Sequence, residues 1–178
     1  AGNWLKNQQT LENHLIGDPT FRFLPQDAIK TDLNEALTLR KGDVILWRKL
    51  LKSTNSEVKS LAMKMLYQNH AITTDELLSI QKEEKRATVR LMAFNLLRNA
   101  ADQNLIAAIK LGLHDNYELL RRLSALCASL NGSPLLIDDI FTQLTEPGVT
   151  KRVAFQLKGA SEIYQKEEAM AAYERALS

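Results

Sequence analysis

Cysteine is nearly absent: Cys127 stands alone in 178 residues, so no internal disulfide and no cysteine-based metal cluster can form. It sits in the apolar run Leu126-Cys127-Ala128, which suits a small buried side chain rather than a reactive one. Glycine (7) and proline (4) are few, and aromatics make up only 6%. With valine sparse and Leu, Ala, Lys, Glu and Arg abundant, that balance favours long helices over strands. No apolar stretch approaches the roughly 20 residues of a membrane span. The formal net charge of +2 is too small to imply a nucleic-acid or membrane partner by itself. An initiator Met is also missing, and Ala1-Gly2-Asn3 resembles a processing scar, as in a mature secreted chain or an excised fragment. The compartment stays open between the cytoplasm and a processed secreted form.

What is present is ordinary for a soluble globular chain: 45% hydrophobic and 25% charged residues, enough to build a core and too apolar for disorder. Catalytic signatures do not emerge. There is no Gly-x-Ser-x-Gly elbow, phosphate-cradling glycine loop or His-x-x-x-His pair. His14, His70 and His114 are far apart and are read as incidental residues near helix ends. Asp138 and Asp139 are adjacent, so on a helix they point about 100° apart and suit a solvated edge better than shared acid–base work. The expectation is a non-enzyme with no cofactor and no metal.

The decisive feature is an internal repeat. Trp47, Leu78, Ile109 and Ile140 recur every 31 residues, each within a short amphipathic segment: 44–51, 74–80, 104–113 and 135–144. A second segment follows each one: Val58-Lys59-Ser60-Leu61-Ala62, Val89-Arg90-Leu91-Met92-Ala93, Leu120-Arg121-Arg122-Leu123-Ser124 and Thr150-Lys151-Arg152-Val153-Ala154. The steps are then 31, 31 and 30, as if the last loop had lost one residue. Met65, Leu96, Cys127 and Leu157 continue the register. Positions one, four, five and eight of each second segment fall on one helical face and form the expected buried stripe. The fifth is always small (Ala62, Ala93, Ser124, Ala154), which allows a neighbouring helix to approach closely. One helix pair cannot cover its own apolar face, so successive pairs must stack.

The expected organisation is an irregular helical N-terminal cap over 1–42, four helix pairs over 43–161 and a C-terminal helix within 162–178. Pro25 keeps Leu24 out of the α region, so the Phe21-to-Pro25 stretch breaks the cap, and a helix is expected from about 26 to 39. Trp4, Phe21 and Phe23 either seal the end of the stack or form an exposed anchor. The segment 165–177 starts a further helix, as a cap or as half of a fifth pair.

Asp115-Asn116-Tyr117-Glu118-Leu119-Leu120-Arg121-Arg122-Leu123-Ser124-Ala125-Leu126 resembles the short HEAT-like repeat of phycobilisome-lyase-type HEAT proteins. There an acidic turn precedes a Val-Arg pair, then an Ala and another apolar residue. The stretches 84–97 and 55–66 are similar, with Lys59 in place of Arg; the fourth copy departs, with Thr150 and Lys151. The resemblance spans roughly 43–160 and implies an all-α superhelical solenoid of four to five helical hairpins, armadillo-like in architecture. It implies little about activity, because such repeats serve scaffolds, adaptors and enzyme accessory domains.

The resemblance further implies that the basic column Lys59, Arg90, Arg121 and Lys151 is a structural acid–base ladder, with Glu84 and Asp115 at the turn entering the same helix as Arg90 and Arg121. A second set faces away from the core one residue later and beyond: Ser60, Lys64 and Tyr67; Leu91, Asn95 and Arg98; Arg122, Leu126 and Ser129; Arg152, Gln156 and Gly159. Second helices usually line the concave side of such stacks. Lys64, Tyr67, Asn95, Arg98, Arg122 and Arg152 would then border a mildly basic groove without an acid, suited to an acidic protein segment or a nucleic-acid backbone. The leading expectation is a protein-binding scaffold. Nucleic-acid binding, including DNA-base repair of the HEAT-like glycosylase kind, and an accessory domain of a larger enzyme are the alternatives.

Overall fold

The computed structural model describes residues 42–178. Among them are nine α-helices, one short 3-10 turn and no strand. The helices are α1 (Val44–Leu50), α2 (Ser56–Gln68), α3 (Thr74–Glu83), α4 (Ala87–Leu97) and α5 (Asp102–Leu113). They continue as α6 (Glu118–Asn131), α7 (Ile137–Thr145), α8 (Lys151–Ser161) and α9 (Lys166–Leu177), with the 3-10 turn Pro134–Leu136 leading into α7. The all-α class expected from composition is therefore what folds. The expected cap over 1–42, with Trp4, Phe21 and Phe23, lies outside the described residues except for Gly42.

Four of the α-helix starts have a side-chain cap. Asp43 accepts from Leu46 N, and Asn55 from Glu57 N and Val58 N, so both satisfy amides that α1 and α2 would leave unpaired. Thr73 and Glu76 form a reciprocal capping box at α3. Thr150 caps α8 through Val153 N. At the far end of α6, Gly132 takes the left-handed conformation (φ 66) that ends a helix without a Cβ penalty.

Packing follows chain order. Within the pairs, α1 packs on α2, α3 on α4, α5 on α6 and α7 on α8. Between pairs, α3 packs on α5, α5 on α7 and α7 on α9, while on the other side α2 packs on α4 and α6 on α8. Extensive packing of α4 along α6 is missing from that series. The core runs through Trp47, Met63, Leu77, Phe94, Ile109, Leu120, Ile140 and Leu157, all at most 2% exposed. Burying each such side chain contributes about 1.5–3 kcal/mol. Phe141, Ile137 and Ala172 close the last layer, with Phe141 edge-on to Tyr173 at 6.3 Å.

Two details of the expected register change. The stripe on the second helices is centred slightly further round: Leu66 and Leu97 are fully buried, whereas Leu61, Met65, Met92 and Leu96 are half-buried. Likewise Leu77, not its neighbour Leu78, is the fully buried residue of α3. The larger correction concerns the fourth pair. The N-caps of α2, α4, α6 and α8 are Asn55, Arg86, Tyr117 and Thr150. Val153 thus occupies the helical position of Val58, Val89 and Leu120, and the loop has gained two residues rather than lost one. Glu84 and Asp115 precede their N-caps by two residues and Glu146 by four; the addition is the Pro147-Gly148 turn, with Gly148 at φ 88. Thr150 resembled a degenerate core position because its hydroxyl is spent on the cap.

Candidate functional site

The acid–base ladder forms, but between pairs. Lys59 of α2 reaches Glu84 at 2.5 Å, and Arg90 of α4 holds Asp115 at 2.6 and 2.8 Å. Arg121 of α6 approaches Glu146 at 3.8 Å. Each base therefore pairs with the acid of the following repeat. Toward its own repeat, Arg90 instead donates to the carbonyl oxygens of Glu84 and Lys85, both at 2.9 Å. It clasps the two turns together. Glu84 and Asp115 are not helix N-caps; they accept from the amides of Arg86 and Tyr117, which are. The Arg86 guanidinium, with Lys59 behind it, holds the Glu84 carboxyl well below the usual carboxylate range. Lys151 does not join: it is exposed, and Ala154 stands at the ladder position in α8 once the helices are aligned by their caps.

The first helices carry their own staples. Arg48 of α1 binds Glu76 of α3 at 2.5 Å, and the Glu76 carboxyl is lowered to about 2, first by Arg48 and then by the Thr73 amide. The adjacent Asp138 and Asp139 divide their roles. Asp139 turns to Lys110 (3.1 Å) and His114 (2.8 Å) of the preceding pair, while Asp138 turns to Arg175 of α9 (2.5 Å). His114 is thus not incidental, since its second ring nitrogen also meets Gln143 Nε2 at 3.1 Å. His70 is exposed at a left-handed turn (φ 52), and His14 lies outside the described residues.

A cleft of about 530 Å³ opens beside the ladder, lined by Gln81, Lys82, Glu84, Arg90, Lys110, His114 and Asp115. Its acids and Arg90 are committed to the staples already described, and no nucleophile–base pair is set up in it. Among the described residues no group of three or more His, Cys, Asp or Glu side chains could hold a metal ion.

The solvent side of the second helices is different. Lys64, Arg98 and Arg152 are exposed, and Tyr67, Asn95 and Arg122 are half-buried. Among the described residues, none of Lys64, Arg98, Arg122 and Arg152 has an ion-pair partner, whereas three ladder bases do. Arg122 Nε is buried without any acceptor, as is Nε of the neighbouring ladder base Arg121. The helices carry acids only at Glu57 and Glu118, both in first turns. The six residues do not form the even column expected from the sequence, because the two-residue insertion rotates α8. The position of Arg122 is filled in α8 by Phe155, and Arg152 sits three residues earlier. Leu91, counted on this face, is buried.

Apolar side chains share the surface; Leu126 was expected there, while Leu119, Leu130 and Phe155 were not. Leu119, Leu126 and Leu130 of α6 and Phe155 of α8 are 37%, 40%, 75% and 74% exposed. The spacing of Leu119, Leu126 and Leu130 places them on one side of α6, a stripe that could have been found by asking which leucines the core face leaves over. A smaller cleft of about 230 Å³ lies where α4 and α6 fail to pack, lined by Arg98, Leu105, Cys127, Leu130 and Asn131. Cys127 is buried and unbridged there, and burial pushes its thiol up despite the Arg98 guanidinium beside it.

No helix among the described residues is long and apolar enough to cross a membrane. Comparison with family models, with curated proteins and with solved structures finds no match to this chain.

Proposed function

We propose that the chain is a HEAT-like repeat module that binds a protein partner on the concave side of its stack, through the exposed face of α2, α4, α6 and α8. The observation that carries the reading is a contrast between neighbours. The ladder bases Lys59 and Arg90 are hydrogen-bonded to acids and Arg121 stands 3.8 Å from Glu146, while Arg98 and Arg122 one face away have no ion-pair partner among the described residues. Arg98 lines a cleft with the exposed Leu130, and Arg122 shares α6 with the exposed leucines. Unpaired cations beside apolar side chains suit an acidic protein segment, in which carboxylates flank hydrophobic anchors. A nucleic-acid backbone would use the cations and leave the leucines in water. Scaffolding, not catalysis, is the role such a face supports.

The test is a salt titration with two probes, an acidic peptide and a mixed-sequence DNA duplex, on the full chain and on R98E/R122E/R152E. Binding of the peptide that the triple variant loses supports the proposal. Preferential DNA binding with a steep salt dependence would move the assignment to the nucleic-acid class, and unchanged affinity in the variant would remove the face from either role.

A further inference from the structure

The basic face is not uniform, and its interruption between α4 and α6 is the informative place. The second helices pack on one another at α2–α4 and at α6–α8, but extensive contact between α4 and α6 is missing. The gap leaves the cleft of about 230 Å³ whose floor is Leu105 from α5 and Cys127 from α6. One wall is Leu130, 75% exposed, and Leu126 continues the same side of α6 at 40%. A leucine held out in water above an apolar floor is a surface that association would dry. The cation lining this seam is Arg98, at the C-cap of α4, while Arg122, whose Nε is buried with no acceptor, stands about two turns before Leu130 on α6, outside the cleft lining. Neither α4 nor α6 beyond Glu118 carries an acid that could neutralise them.

We infer that the seam between α4 and α6 is the docking site for an acidic amphipathic helix, which seats one large apolar side chain on Leu105, Cys127 and Leu130 and brings carboxylates to Arg98 and Arg122. The inference rests on the protein-binding reading of the face and adds to it a place and a partner chemistry. Charge complementarity selects that occupant over a basic helix, which the two arginines would repel, and the apolar floor selects it over a purely acidic strand. The apolar anchor supplies the affinity and the arginines orient it.

Because Cys127 is the only cysteine in the chain and lines the cleft, its alkylation rate reports occupancy directly. Three synthetic helical peptides serve as probes: leucines at i, i+4 and i+7 with glutamates elsewhere, the same leucines with lysines, and the glutamates with alanine replacing leucine. The Glu/Leu peptide should bind and, at ten times its Kd, slow alkylation of Cys127 about tenfold. Leu130→Glu, a change at an exposed position that leaves the fold intact by circular dichroism, should weaken binding by about tenfold or more. Equal binding of the Lys/Leu or Glu/Ala peptide overturns the inference. So does binding of the Glu/Leu peptide with Cys127 unprotected, or with L130E unaffected; both outcomes leave the wider basic face standing. If none of the three peptides binds, the inference and the protein-binding reading fall together. Should Cys127 of the free protein resist alkylation, the L130E comparison decides alone.

Discussion

Arg90 and Asp115 lie 25 residues apart in consecutive helical pairs, yet their charged groups meet through two hydrogen bonds of 2.6 and 2.8 Å. Both side chains are less than a tenth exposed. The same guanidinium holds two carbonyl oxygens of its own repeat and the Asn116 side chain. The pair is therefore a joint between modules, and its strength should set how cooperatively they unfold.

Removing one partner of a buried rung leaves an unpaired buried charge. Asp115→Ala is expected to destabilise the fold by about 3–5 kcal/mol. Glu146→Ala, at the 3.8 Å rung with a half-exposed carboxylate, should cost less than about 1 kcal/mol. Urea denaturation followed by circular dichroism measures both, and equal losses would contradict the ranking.

Gly112 has no room for a side chain, because a Cβ there would stand 1.9 Å from Ser124 Oγ. Gly112→Ala should therefore cost about 1–3 kcal/mol through overpacking. Ser124 Oγ is itself buried without a partner, so Ser124→Ala is expected to be neutral or stabilising. Ser124→Gly in the Gly112→Ala background should recover part of the loss; thermal melts of the three variants check the set.

Glu76 titrates at about 2 and Glu84 is held low as well. Carboxyls depressed in the folded state contribute stability that is fully present above the ordinary value of 4.5 and is lost as pH falls toward the folded value. Unfolding free energy should accordingly decline between about pH 4.5 and 2. Glu84→Gln should be less stable at neutral pH and show a shallower acid decline in a urea series across that range.

His114 contacts Asp139 through Nε2 and the Gln143 amide nitrogen through Nδ1. With the Gln143 amide turned Nε2 toward the ring, Nδ1 accepts and the neutral ring carries its proton on Nε2. Nitrogen-15 spectra of the neutral ring should show the Nε2–H tautomer, and Gln143→Leu should allow the other tautomer to appear.

Much of the architecture was legible in the chain because apolar periodicity and capping chemistry act locally. The 31-residue recurrence located all four pairs, and the start of α9 fell within one residue of expectation. The basic column was legible as structure, but its partners were not, since a turn acid lies equally near two bases until the pairs stack. The fourth pair misled for a specific reason: Pro147-Gly148 added two residues while Thr150 moved from core to cap. Matching Thr150 to Leu120 then put Arg152 in a column that α8 gives to Phe155.

The sequence alone determined the all-helical class, the pairing of helices and the small residues Ala62, Ala93 and Ser124 on the first three second helices, because each depends on neighbours within a few turns; in α8 the same position holds the buried Leu157. Tertiary structure alone decided that Arg90 joins the following repeat, that Asp138 and Asp139 face opposite neighbours, and that α4 and α6 part over Leu105 and Cys127. Those outcomes depend on the rotation and separation of whole helices, which emerge only when every apolar face has been buried at once.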